Sequence, residues 1–331
     1  MFAKRNYGFW MTFKWSKMPF IYGGLYAAII YLAHLLIYTN FNIDISLPWS
    51  PVGVVGIAVA FYLGFKNNAS YDRSWEARKI WGGIVNNSRS FGAALLAFIN
   101  GQNEDEIRKK LLYRHIAWLT ALRVQLRLSR EWEHVEDRIK VIFAERCPEY
   151  DKDLALQLEP YLDKTEIDGC IGKSNVATQI MALQALEFQK LRDLGYFDDF
   201  RHMEFHKLIC SFYDDQGRSE RIKNFPFPRQ YASAALWLSI IFAALTPLGL
   251  LDVLKDFSHN QKWIIIPISS LTIWIFFLME KIGDYSENPF EGTYNDIPIN
   301  SISRAIEIDL REMISDNYIP GPVPNIDGYI M

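Results

Sequence analysis

The stretch AFYLGFKNNASYDRSWEARKIW, residues 60–81, begins as hydrocarbon and ends as a charged helix, with no Gly–Pro stop between. Tyr62 to Phe65 suits a lipid or a protein core, whereas Lys66, Asp72, Arg73, Glu76, Arg78 and Lys79 do not. A helix that passes unbroken from one medium to the other has to serve both. The fold class follows from that demand: an apolar span that continues into a water-exposed helical region.

The rest of the chain divides the same way. Of 331 residues, half are hydrophobic and 15% aromatic, too rich for an ordinary soluble protein, while 22% are charged, too many for a chain buried wholly in lipid. The mean hydropathy is close to zero, as expected of a mosaic of membrane spans and a polar domain. The net charge of −3 gives nucleic acid no electrostatic foothold.

Four apolar segments stand out. Met18 to Tyr38 carries no formal charge over 21 residues, enough to cross about 30 Å of hydrocarbon at about 1.5 Å per residue. The second runs from Pro51 and is apolar only to Phe65; the third and fourth are Tyr231 to Leu251 and Trp263 to Leu278. Pro51 suits a first helical turn, Pro247 kinks the third span, and Trp49, Trp237, Trp263 and Trp274 are candidate interface anchors. Lys4, Arg5, Lys14 and Lys17 precede the first span, and Lys66, Arg73, Arg78 and Lys79 follow the second, while the connection at 39–50 has only Asp44. The short third connection is balanced, and Lys281 and Arg304 follow the fourth span. The excess of positive charge therefore puts both termini and the middle of the chain in the cytoplasm of a multi-pass inner (plasma) membrane protein.

The expected organisation is an interfacial segment at 1–17, spans one and two at 18–65, a helical cytosolic region at 66–230, spans three and four at 231–279, and a cytosolic wrap at 280–331. In LLYRHIAWLTALRVQLRLSR (111–130), Leu112, Ile116, Leu119, Leu122 and Leu126 recur at three- and four-residue steps. NVATQIMALQALEFQKL (175–191) keeps the same rhythm. Pro148, Pro160 and the 168–172 stretch read as loops, and one helix is expected at 303–314 in the tail. No strand alternation persists and no repeat of 20–50 residues is visible.

Enzymatic signatures are missing. No GxSxG, P-loop or GxGxxG occurs, and the doublets Asp198–Asp199 and Asp214–Asp215 read as solvated surface. His202 and His206 sit four apart, but Met203 stands where a metalloprotease helix needs glutamate, so they read as a solvated or structural pair; no metal and no cofactor is expected. His34, inside the first span, reads as a satisfied interhelical donor. Cys147, Cys170 and Cys210 have no metal-ligand spacing and read as reduced structural thiols.

The second span carries the sharper signal. Its apolar part covers only about 22 Å as a helix, short for a span that faces lipid. Ile57, Phe61 and Phe65 fall on one face, and Gly53, Gly56 and Gly64 permit close helix contact. Ordinary packing in a bundle is one reading. In the other, copies of the helix surround an axis, each residue becomes a ring, and the Ile and Phe rings form a dry collar that gates ions by dewetting. Lys66, Asn67, Asn68 and Asp72 then line the wet vestibule below it.

FYLGFKNNASYDRSWEARKIWGGIVNNSR (61–89), FPFPRQYA (225–232) and ENPFEGTYNDIPI (287–299) resemble, in order, three sequence blocks of the bestrophin family, especially its bacterial branch. The resemblance covers nearly the whole chain. It implies an all-α pentameric ion channel with four membrane helices per subunit, a large helical cytosolic part, and one axial pore with a hydrophobic neck, an inner cavity and a second constriction. The family's neck falls on Ile57, Phe61 and Phe65, and its cytosolic aperture on Val176, with Ile180 one turn later as the alternative. Animal bestrophins carry a dense acidic run after NPF that helps to bind calcium. Here only Glu291 and Asp296 remain, so the segment reads as a structural wrap. The expected partners are membrane lipid, four further copies of the chain, and small monovalent ions, with cations such as Na+ favoured over anions. A membrane-anchored scaffold whose cytosolic helices bind a partner is the competing reading, and a metalloenzyme built on His202 and His206 is a remote third.

Overall fold

The structure is a computed structural model and describes residues 1–3, 5–134, 153–293, 296–325 and 328–330, apart from the side chains of 259 and 260. Lys4, Cys147 and Pro148 lie outside the described residues. Among the described residues the helices are α1 (Phe9–Phe41), α2 (Trp49–Phe98), α3 (Glu104–Arg127), α4 (Leu154–Leu158), α5 (Lys164–Cys170), α6 (Val176–Asp193), α7 (Asp199–Asn224), α8 (Arg229–Val253), α9 (Ile265–Asp284, after a 3-10 turn at His259–Ile264) and α10 (Ile299–Met313). Four of them, α1, α2, α8 and the turn-plus-α9 segment, are long and apolar enough to cross a membrane. Among the described residues the one strand-like contact is an isolated antiparallel bridge between Phe2 and Tyr329.

The chain forms two compact units, and α2 contributes to both. One unit holds residues 4–72 and 227–287. Here α1 lies along α9, and α8 packs on both. Small residues bring α1 and α9 close: a methyl group on Gly23 would sit 3.1 Å from the Ile273 side chain. Ser270 Oγ donates to the Phe20 carbonyl (2.6 Å), and Trp274 Nε1 to Ser16 Oγ (2.9 Å). Ser16 has non-helical angles, so α1 is two helices joined at a kink, the first beginning within the segment expected to be interfacial. Pro247 is accommodated inside α8.

The other unit holds residues 1–3, 73–226 and 288–331. Its core draws on α2, α3, α6, α7 and α10, with Trp81, Phe91, Trp118, Phe188, Phe205 and Phe212 all buried. Each such side chain removed from water contributes about 1.5–3 kcal/mol. The segment expected as a loop at 168–172 is helical as far as Cys170 and turns at Gly172, whose φ is +82°. His115 is enclosed against Phe91, Trp118 and Phe212, with one ring nitrogen 2.9 Å from Ser88 Oγ. Burial pushes its pKa down to about 3, so the ring is neutral. Asp215 also departs from expectation: Asp214 is exposed, but Asp215 is buried, accepts from Asn87 Nδ2 (2.8 Å), and has its pKa raised by burial.

Candidate functional site

Helix α2 has no proline after its first turn, so its backbone ladder runs unbroken for 50 residues. Its two faces differ. Val52, Gly56, Val59, Leu63, Lys66 and Ser70 are buried at alternating four- and three-residue steps. They pack chiefly against α8; a methyl group on Gly56 would lie 2.7 Å from the Phe242 ring, so any larger residue would force that ring to move. Gly64, in contrast, meets open space.

The opposite face is an exposed ladder. Ile57, Phe61 and Phe65 are 62, 67 and 65% exposed, Val54 extends the row above them, and Asn68 and Asp72 continue it below. At 1.5 Å per residue, Ile57 to Phe65 covers about 12 Å of helix axis. Large apolar groups this exposed on a helix whose other face is packed mark a surface that something else covers. Tyr62, one residue from Phe61, is turned into the bundle and stacks on Tyr231 (centroids 5.9 Å apart). This contrast between neighbours is the one that a 100° turn per residue requires.

Two sequence expectations change. Lys66 does not line a vestibule. It is fully buried, its ammonium 3.0 Å from Glu280 Oε1 and 3.9 Å from Asp284 Oδ1 on α9. The reason is register: Lys66 is three residues after Leu63 and four before Ser70, on the packed face. Asn67 is half-buried and lies so close to Gly283 that a methyl group there would clash with its Oδ1 at 2.2 Å. Asn68 and Asp72 stay on the exposed face. Ile180 cannot form an aperture either, since it is completely buried in the core of the helical unit. Val176, one turn earlier, is half-buried at the first position of α6, where the Asn175 side chain caps the helix by accepting from Thr178 N (3.0 Å).

Several other candidates are held in structural contacts. His34 is buried with Nδ1 3.7 Å from Asp44 Oδ1. Asp198 caps α7 by accepting from Arg201 N (2.9 Å), and Asp199 pairs with Arg192. Asp296, in the tail, is saturated. It accepts from the backbone N–H groups of Phe290 (2.8 Å), Gly292 (2.5 Å) and Ile297 (2.6 Å) and pairs with the buried Arg127. This knot holds Phe290 at φ +73°, a conformation costly for an aromatic residue. Glu291 is buried beside His134, its Oε1 3.0 Å from Nδ1. Among the described residues no three His, Cys, Asp or Glu side chains gather as a metal centre.

The bacterial and fungal bestrophin model matches residues 17–312. The chain belongs to the bestrophin family. This bestrophin is 28% identical over 275 residues to a protein of Ralstonia nicotianae named a voltage-dependent anion channel-forming protein, with 83% of this chain and 80% of that one aligned. A protein of the same name from Salmonella typhi is 25% identical over 322 residues, covering 92% and 93% of the two chains. A solved structure of a bacterial bestrophin homolog from Klebsiella pneumoniae carrying a single mutation shares the fold, with a TM-score of 0.75, 22% identity, and 90% of this chain and 98% of that one covered. The family and four apolar helices make this bestrophin a membrane protein.

Proposed function

We propose that this bestrophin is an ion channel, built from copies of the chain around one axis, with α2 lining the pore. The observation that carries the reading is the exposed Ile57–Phe61–Phe65 ladder, a membrane-depth row of large apolar side chains that its own chain leaves uncovered. Turned toward an axis, the ladder becomes three stacked rings, the neck. An ion there sheds water and finds no polar ligand in exchange, so the neck is the barrier to conduction. Asn68 and Asp72 begin the wet vestibule, which explains why the helix runs on without a stop. Val176 is the residue for the cytosolic aperture. One helix per chain cannot enclose a pore, so a ring of copies is needed, five by family resemblance. The positive-inside balance supports a cytoplasmic position for both termini and the helical unit.

The favoured ions are small monovalent cations. With Lys66 withdrawn into its pair with Glu280, the first formal charge on the ladder below the neck is Asp72, two turns past Phe65. The second reading, anions, is favoured by the names of the curated relatives. Purified protein in planar bilayers across a NaCl gradient separates them. A reversal potential near that of Na+, weakened in Asp72→Asn, supports the first, and one near that of Cl− the second. No flux above protein-free vesicles, from folded and inserted protein, would favour a membrane scaffold instead.

A further inference from the structure

The ladder leaves a second pattern unused. On α7, His202, His206 and Cys210 follow at four-residue steps and so share a helix face. His206 and Cys210 are exposed, Cys210 is a free thiol, and its Sγ lies 3.7 Å from His206 Nε2. The nearest ammonium in sequence, Lys207, is engaged by Glu204 (2.6 Å). A tetrahedral cation that holds sulfur at about 2.3 Å and imidazole nitrogen at about 2.0–2.1 Å fixes the two ligands about 3.5 Å apart. The resting geometry is therefore within a few tenths of an ångström of that bite.

We infer that His206 and Cys210 form a surface site for a thiophilic divalent cation of the Zn2+ and Cd2+ class. Sulfur and imidazole select such ions, whereas Ca2+ and Mg2+ seek oxygen. Neutral His206 binds through the Nε2 lone pair. Cys210 binds as thiolate: the S–H bond breaks, an S–metal bond forms, the proton leaves to solvent, and no electron is transferred. Water completes the coordination. With only two protein ligands the site is open and exchangeable, with micromolar rather than nanomolar affinity.

The test is a titration of the full-length protein in detergent with CdCl2, following the ultraviolet thiolate-to-cadmium absorption and the protons released. The expected result is one cadmium and one proton per chain, with Zn2+ displacing the signal and excess Ca2+ leaving it in place. Cys210→Ser should abolish the band, and His206→Ala should weaken binding roughly tenfold or more. Several outcomes would overturn the site: no band at micromolar cadmium, a band that survives Cys210→Ser, His206→Ala binding as tightly as the parent, or no competition by Zn2+. In each case the 3.7 Å contact would be a weak thiol–imidazole hydrogen bond and no more.

Discussion

Lys66→Met separates a buried structural cation from one that meets permeating ions. At an effective dielectric constant of 20, the contacts of 3.0 Å to Glu280 and 3.9 Å to Asp284 correspond to gross attractions of about 5.5 and about 4 kcal/mol. Desolvation of the enclosed ammonium takes back much of this, and the Asp284 carboxylate, a third exposed, is screened further. Removing Lys66 alone leaves Glu280 largely shielded from water without its partner, a loss of about 3–5 kcal/mol. At the low end of about 2–4 °C per kcal/mol, the thermal midpoint of the solubilised protein should fall by roughly 6–10 °C. Glu280→Gln should cost less, because Asp284 remains. The double variant Lys66→Met/Glu280→Met should regain most of the loss, because an apolar pair replaces an ion pair of similar volume. The assay is fluorescence-detected thermal unfolding of the three variants alongside reversal potentials. An unchanged midpoint in Lys66→Met together with a shifted reversal potential would refute the burial argument and return Lys66 to the vestibule.

Four other outcomes are expected. Asp296→Asn should destabilise the tail by about 3–5 kcal/mol, read as early proteolysis of the segment after Glu287, since buried Arg127 loses its counter-charge. With Asp296 and Glu291 both engaged, free calcium at physiological levels should leave the current unchanged; micromolar activation lost in Glu291→Gln would contradict this. His115 sets an acid limit. Its folded pKa of about 3 lies below the ordinary 6.5, so its contribution is complete above pH 6.5. As pH falls toward 3 that contribution is lost, at up to about 1.4 kcal/mol per pH unit, because the unfolded chain takes a proton that the fold refuses. The slope of stability against pH between 6.5 and 5 should flatten in His115→Gln. Gly92→Ala should cost about 1–3 kcal/mol in thermal stability, because its methyl group would meet Met313 Sδ at 2.7 Å and Leu310 Cδ2 at 2.8 Å.

What was legible in the sequence was whatever hydropathy and helical phase encode. The four spans, the helical middle and a tail helix (expected at 303–314, found at Ile299–Met313) follow from apolar runs and three-to-four spacing. Phase also separated Phe61 from Tyr62. At Lys66 helical phase outweighs charge, since the ammonium is buried against Glu280. The four- and three-residue steps from Val52 put Lys66 on the packed face, but its partner Glu280 is 214 positions away, and local spacing cannot reveal it. A still greater separation hides the pairing of the termini, where Ala3 N donates to the Gly328 carbonyl (2.7 Å) and Phe2 meets Tyr329. A doublet of acids carries the signature of solvated surface, yet the helix turns Asp215 into the core beside exposed Asp214. His206 and Cys210 carry no sequence signal as a pair, since a single four-residue step between two ligands matches no motif.

The pore assignment is tested most directly at Phe61. Single-channel recordings of purified wild type, Phe61→Ala and Tyr62→Ala in planar bilayers, with the thermal midpoint of each, set the ladder against the packed face. A ring widened at Phe61 should keep its water, so conductance or open probability should rise with little loss of stability, since the side chain is 67% exposed in its own chain. Tyr62→Ala should lower yield and stability and leave conductance alone. Unchanged currents in Phe61→Ala, with a stability loss of about 3–5 kcal/mol, would make Phe61 a packing residue and remove α2 from the pore.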